Sequence, residues 1–126
     1  MVVDEPLGVG GLSEADADRI FQALADATRR DILARVIRAE QSVSALARHY
    51  PMSFAAVQKH VAVLERAALV TKHRHGREQV VHIDVTALRR ASRLLDAYEQ
   101  LWRQRVRSIE LILAEDRDPD RNREGK

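Results

Sequence analysis

Ser44-Ala45-Leu46-Ala47-Arg48-His49-Tyr50, then Pro51-Met52-Ser53, then Phe54-Ala55-Ala56-Val57-Gln58-Lys59-His60-Val61-Ala62-Val63-Leu64-Glu65-Arg66-Ala67 follow one another without a gap. The first stretch reads as a short apolar helix over roughly Val43 to Tyr50. Pro51 must end it, because a proline disfavours helical backbone in the residue before it. Ser53 can cap a second helix, on which Val57, Val61 and Leu64, with Phe54 beside them, recur on a core-facing side. Ala55, Ala56, Gln58, Lys59 and Ala62 are left on the outer face. Two helices joined by so short a turn make a helix-turn-helix. Directly downstream, Leu69 to Arg74 and Gln79 to Ile83 flank His75-Gly76-Arg77-Glu78, which reads as a β-hairpin with a basic tip. A helix able to enter a groove, followed by a hairpin able to straddle a phosphate ribbon, predicts a winged helix-turn-helix. The expected fold is mainly α with a small β-hairpin, and dimeric.

The charge supports that segment as a nucleic-acid surface. Over all 126 residues the formal net charge is +2. Residues 1–42 hold five arginines against eight acids, a net of −3, whereas residues 43–83 hold six Lys/Arg against two acids, a net of +4. The five histidines, His49, His60, His73, His75 and His82, also fall in that second stretch. Positive charge concentrated on a groove-entering motif is what phosphate neutralisation requires. The chain has no cysteine, which excludes disulfides, thiolate metal sites and thiol redox sensing. It has neither a run of 18 apolar residues nor a signal-peptide pattern, so a soluble, cytoplasmic protein is expected.

Around the motif, residues 1–12 contain Gly8, Gly10, Gly11 and Pro6 and read as a flexible arm. Ser13 is placed to cap a first helix carrying Ala17, Ile20, Phe21 and Leu24 at helical spacing. Asp26 or Thr28 would cap a second, with Ile32, Leu33, Val36 and Ile37 inward and Arg29, Arg30, Arg35 and Arg38 outward. Residues 13–115 form the expected domain. Its last helix, 86–115, opens at Asp84 or Thr86, and residues 116–126 read as a disordered tail. On that helix Leu88, Leu95, Trp102 and Ile109 recur every seven residues, with Ala91, Tyr98 and Ile112 in a neighbouring row and Val106 and Leu113 beside it. A rod of ~40 Å outruns the body of a small domain, so part of this stripe needs a second chain to cover it. Leu88, Leu95, Tyr98, Trp102 and Ile109 are therefore assigned to a homodimer interface. A two-fold dimer would present two reading helices at a fixed separation.

These residues resemble the ArsR-type winged-helix repressors. Leu24-Ala25-Asp26-Ala27-Thr28-Arg29-Arg30-Asp31-Ile32-Leu33 is similar to the second-helix signature of that family, with Ala27 where proline is usual. Residues 53–64 resemble its recognition helix, and Leu69-Val70 through Gly76-Arg77 with Val80-Val81-His82-Ile83-Asp84 resembles its wing. The resemblance implies a homodimeric regulator that binds an imperfect palindrome in double-stranded DNA and often represses its own operon. It also exposes two departures. Metal sensors of the family carry a cysteine box where this chain has Ser42 and Ser44, and others use histidines on the last helix, where none follows His82. The resemblance thus implies a member that does not sense metal, with no cofactor and an effector the sequence does not name.

The expected DNA-binding residues are Ser53, Ala55, Ala56, Gln58, Lys59, His60, Arg74 and Arg77. Glutamine can pair with adenine through two hydrogen bonds, and lysine can reach guanine or a phosphate. Ser53 is first a helix cap, with a phosphate contact as an addition. His60 either touches the DNA backbone or fills the seam between the third and fourth helices. Arg74 and Arg77, on an exposed hairpin, suit phosphate or the minor groove. A two-residue Gly76-Arg77 turn would pair His75 with Glu78 and Thr71 with His82, placing His73, His75 and His82 on one face. That leaves a metal-responsive repressor using the wing histidines as one alternative, and a winged-helix protein-interaction module as another. Catalysis has no support: Ser42, Ser44 and Ser53 with His49 or His60 come without nucleophile-elbow glycines, a phosphate loop or paired carboxylates. Tyr98 and Trp102 read as packing residues rather than the wall of a ligand pocket.

Overall fold

The computed structural model describes residues 12–117. The arm expected over residues 1–12 lies outside them except for Leu12, and the tail over 116–126 except for Asp116 and Arg117. Leu12 is buried in the core rather than loose. Five helices and three strands follow in the order α1 (Glu14–Leu24), α2 (Ala27–Arg38), β1 (Gln41–Ser42), α3 (Val43–Ala47), α4 (Phe54–Arg66), β2 (Val70–His75), β3 (Glu78–Ile83) and α5 (Val85–Asp116).

Each helix starts where a short polar side chain can accept an otherwise orphaned N–H. Ser13 accepts from Asp16, Asp26 from Arg29, Ser42 from Ala45, Ser53 from Ala56 and Asp84 from Thr86. Between the two candidate caps at each position, Asp26 and Asp84 serve. The third helix is shorter than expected. The N–H groups of Arg48, His49 and Tyr50 bond three residues back, to Ala45, Leu46 and Ala47, so the chain tightens into a narrower turn before Pro51.

The core is one cluster: Ile20 and Ala23 of α1, Ile32, Leu33 and Val36 of α2, Val43 and Leu46 of α3, and Val57, Val61 and Leu64 of α4. Leu69, just before β2, with Val70 and Val81 of the sheet and Ala87 and Ala91 of α5, closes it. Two residues expected inward are not part of it: Ile37 is 50 % exposed and Phe54 is 47 % exposed. Ile37 is the penultimate residue of α2, in its last turn. Phe54 sits at the first turn of α4, ahead of the point where that helix meets the core.

The sheet is antiparallel with order β1-β3-β2. The hairpin register is the one a Gly76-Arg77 turn requires, with His75 opposite Glu78 and Thr71 opposite His82. Gly76 has φ +66°, the left-handed conformation that such turns demand and glycine adopts without cost. The sequence reading missed β1, where Gln41 and Ser42 pair with Val81 and Val80. Two residues are too few to show alternation. One non-glycine residue, Ala68, also has positive φ, at 60°. It ends α4: its N–H bonds to Glu65 and that of Leu69 to Leu64, reversing the chain into β2.

The last helix has two unlike halves. Ala87 and Ala91 are buried, and Leu88 and Leu94 pack against the same core. Beyond Leu94, the helix carries Leu95, Tyr98, Leu101, Trp102, Ile109, Leu111, Ile112 and Leu113, all exposed. At ~1.5 Å per residue its 32 residues form a rod of about 48 Å, whose second half leaves the body of the domain. No described helix is long and apolar enough to cross a membrane.

Candidate nucleic-acid interface

Helix α4 has three sides. Val57, Val61 and Leu64 anchor it. Ser53, Phe54, Ala55, Gln58 and Lys59 are exposed, and Ala56 and Ala62 are half-buried. The Ser53 hydroxyl oxygen accepts from the Ala56 N–H at 3.1 Å, so its hydrogen stays available for a phosphate. Neither Gln58 nor Lys59 makes a hydrogen bond or ion pair with any described residue, which leaves their donors free for a base edge or a phosphate. Arg74 and Arg77 are likewise exposed on the wing without a partner among the described residues. Four of the expected cations and donors thus share the property a docking surface needs.

His60 has a neighbour that the sequence did not indicate. Its side chain is 22 % exposed and reaches the start of α2. Its Nδ1 lies 3.3 Å from a guanidinium nitrogen of Arg29 and 3.9 Å from the Asp26 carboxylate. A guanidinium can only donate, so Nδ1 accepts there and the ring proton sits on Nε2. The same Arg29, expected outward, donates to the Ala23 carbonyl at 2.8 Å and the Gln22 carbonyl at 3.0 Å, while Arg30 donates to that of Leu24 at 2.7 Å. Helix α1 has no basic residue in its last turn, and its orphan carbonyls are satisfied by the next helix instead. Arg29 therefore ties α1, α2 and the reading helix together. The Asp26 carboxyl is held below the usual range, chiefly by the Arg29 N–H it caps.

Two further contacts set the angle of the module. The Tyr50 hydroxyl donates to Asp31 at 2.5 Å, and Arg35 donates to the same carboxylate at 2.8 Å, its guanidinium 5.9 Å from the Tyr50 ring centre. These bonds hold the Asp31 carboxyl below its ordinary range. Burial, then the bond to Asp31, pushes the Tyr50 phenol up to about 12. The end of α3 is thereby pinned to α2 just before the turn into α4. Lys72 of β2 reaches Glu65 of α4 at 3.4 Å, bracing the wing against the reading helix. The sequence places Arg29 on the outward face and carries no sign of the contacts that Arg29, Tyr50, Asp31 and the Glu65–Lys72 pair make, because each acts across elements and has no local periodicity.

The wing histidines line one side of the hairpin, from His82 near its base to His75 beside the Gly76 turn. His73 and His82 meet edge to face with ring centres 4.8 Å apart, and His73 Nε2 lies 3.2 Å from the Thr71 hydroxyl. His82 Nδ1 lies 2.9 Å from Glu40, and His75 and Val80 complete the same shallow depression. Among the described residues no group of three or more histidine, cysteine or acidic side chains is arranged to hold a metal ion. Of the residues assigned to a dimer contact, Leu88 packs against this chain's own core, whereas Leu95, Tyr98, Trp102 and Ile109 stand in solvent.

A helix-turn-helix closed by a three-stranded wing defines a winged helix-turn-helix regulator. Comparison with known proteins agrees: a family described as a helix-turn-helix domain matches residues 24–73. The HTH-type transcriptional regulator Rv2034 of Mycobacterium tuberculosis is 44% identical over 71 residues, which is 56% of this chain and 66% of that protein, just under two thirds of its length. Among solved structures, the ArsR-like transcriptional regulator from Rhodococcus sp. RHA1 superposes with a TM-score of 0.69 at 35% identity, over 78% of this chain and 92% of that one. The homodimeric winged helix-turn-helix DNA-binding domain of Mycobacterium bovis Mb0332 superposes with a TM-score of 0.55 at 27% identity, over 69% of this chain and 82% of that one. The chain belongs to the ArsR family of transcriptional regulators.

Proposed function

We propose that the chain acts as a homodimer that binds an imperfect palindrome in double-stranded DNA and represses the genes beside it, its own among them. Helix α4 would lie in the major groove and the wing along the flanking backbone. The observation that carries this reading is the shared exposure of Gln58, Lys59, Arg74 and Arg77, none of which has a partner among the described residues. Exposed Leu95, Tyr98, Trp102 and Ile109 on α5 support the dimer, since an apolar stripe of that size in water favours a second copy. Ser42, spent on capping α3, and Ser44 at the cysteine-box positions support a member that does not answer to metals.

Selecting duplexes from a randomised pool, then titrating the best against salt, tests the reading. Enrichment of a two-fold related sequence whose affinity falls steeply with salt is the expected outcome. Failure to enrich any sequence, with binding that ignores salt, would favour the protein-interaction alternative.

A further inference from the structure

Phe54 is the one large apolar side chain of the described segment 41–83 that stands exposed. Its neighbours in that segment, Val57, Val61, Leu64, Leu69, Val70 and Val81, are buried. Phe54 is 47 % exposed, so much of its apolar surface remains available for a contact outside the subunit. Its address is informative: it is the first residue of α4, directly after the cap Ser53. In a helix-turn-helix it is the N-terminal residues of the second helix that meet base edges. Gln58 lies four residues on, and so one turn along the same side. Exposed Ala55 and half-buried Ala56 beside it extend no further than Cβ, so nothing bulky holds the ring away from a surface. No acid occupies the first turn of the helix to repel phosphate.

A phenyl ring has neither donor nor acceptor, so against a base edge it gains only from an apolar feature. The major-groove edges of adenine, guanine and cytosine present donors and acceptors, and the one apolar projection in that groove is the C5-methyl of thymine. We propose that Phe54 is a specificity-determining residue that packs on a thymine methyl group once in each half-site, about one α-helical turn (~5.4 Å) from the point where Gln58 meets the duplex. This rests on the DNA-binding reading above.

The test uses the full chain and the best duplex from the randomised selection. Each thymine is replaced singly by deoxyuridine, which lacks only the methyl group, and affinity is read by fluorescence anisotropy for the unaltered protein, Phe54→Ala and Phe54→Leu. At one thymine per half-site the unaltered protein should lose about 3- to 5-fold, the worth of one buried methyl group. Phe54→Ala should bind the thymine duplex more weakly by at least that factor and ignore the substitution. Phe54→Leu, which keeps an apolar contact, should retain the sensitivity. Specific, salt-dependent binding in which every deoxyuridine is tolerated within about twofold would overturn the Phe54 assignment and leave the DNA reading intact. So would a Phe54→Ala protein as methyl-sensitive as the original. Absence of any selected sequence would overturn both. Should Phe54→Ala fail to fold, Phe54→Gln, which keeps the bulk and loses the apolar contact, takes its place and should likewise ignore the methyl group.

Discussion

Gln58 and Arg77 are both exposed and without a partner among the described residues, yet on the proposed reading they sit on elements that would meet DNA differently. Gln58→Ala should cost ~1–3 kcal/mol on the preferred operator and far less on unrelated DNA, because a base contact carries discrimination. Arg77→Ala should weaken both DNAs alike and flatten the salt slope by about one counterion per site. Measuring both variants on both DNAs at several salt concentrations checks this, and equal losses on both DNAs for Gln58→Ala would move that residue to the backbone. Tyr50 allows a test that needs no DNA. The folded chain holds its phenol protonated to about 12, above the ~10 of a free tyrosine, so its contribution is complete below pH ~10 and lost as pH rises toward 12. The Asp31 carboxyl, held low, contributes above its ordinary range and loses that contribution as pH falls through its folded value. Tyr50→Phe should therefore destabilise the protein by ~1 kcal/mol at pH 7, a solvent-discounted figure for a charged hydrogen bond, and by much less at pH 12. Urea melts at the two values read the difference; an equal deficit at both would show that the hydroxyl's bond to Asp31 contributes nothing.

At the scale of elements, Ala68 is the residue that α4 and β2 hold in a strained conformation. Its φ of 60° places Cβ close to the following carbonyl, which costs ~1–2 kcal/mol in an L-residue. Ala68→Gly removes that strain and adds ~0.4–1 kcal/mol of freedom to the unfolded chain. A net gain of roughly 0.5–1 kcal/mol is expected, readable as a rise in Tm of a few degrees; a fall in Tm would mean the methyl group packs usefully. The elements most legible in the sequence were those whose ends carry chemistry of their own. Ser13 and Ser53 cap as expected, Gly76 and Arg77 form the turn, and Val57, Val61 and Leu64 face inward. What the sequence hid depended on tertiary neighbours. Strand β1 exists because β3 is beside it, Arg29 finds carbonyls of another helix, and His60 packs on α2. Phe54 obeyed the helical period loosely enough to be counted as core, and its exposure was visible only once α4 was docked.

For the whole molecule, the exposed apolar half of α5 is the surface on which the proposed dimer rests. Trp102 is 61 % exposed within its own chain, so Trp102→Ala should leave the subunit's core intact and act on assembly. If the second copy buries it, the dimer weakens by ~3–5 kcal/mol and sediments toward monomer at micromolar concentration. A stable dimer with unchanged melting would place Trp102 outside the interface. The response to metals is also a property of the assembled protein. Zinc, cadmium or arsenite at micromolar levels should leave operator affinity within about twofold. Reproducible release of DNA by one of these ions, lost in His73→Ala or His82→Ala, would assign a sensing role to the wing histidines. That depression, with Glu40 against His82, is where such a response would have to arise.

One junction links these scales. A single residue, Asp84, separates the last strand of the wing from the first residue of α5, and its N–H is fixed to the Leu69 carbonyl at 2.9 Å. The hairpin and the long helix are thus two arms of one crank with its bearing at Asp84. From that bearing to the Gly76-Arg77 tip is about 23 Å at ~3.3 Å per residue, so a rotation of roughly 5° carries the tip about 2 Å. That travel exceeds the latitude of a hydrogen bond, which is lost over a few tenths of an ångström. How two copies of α5 cross would then decide, through leverage alone, whether both wings reach their phosphates on the same duplex.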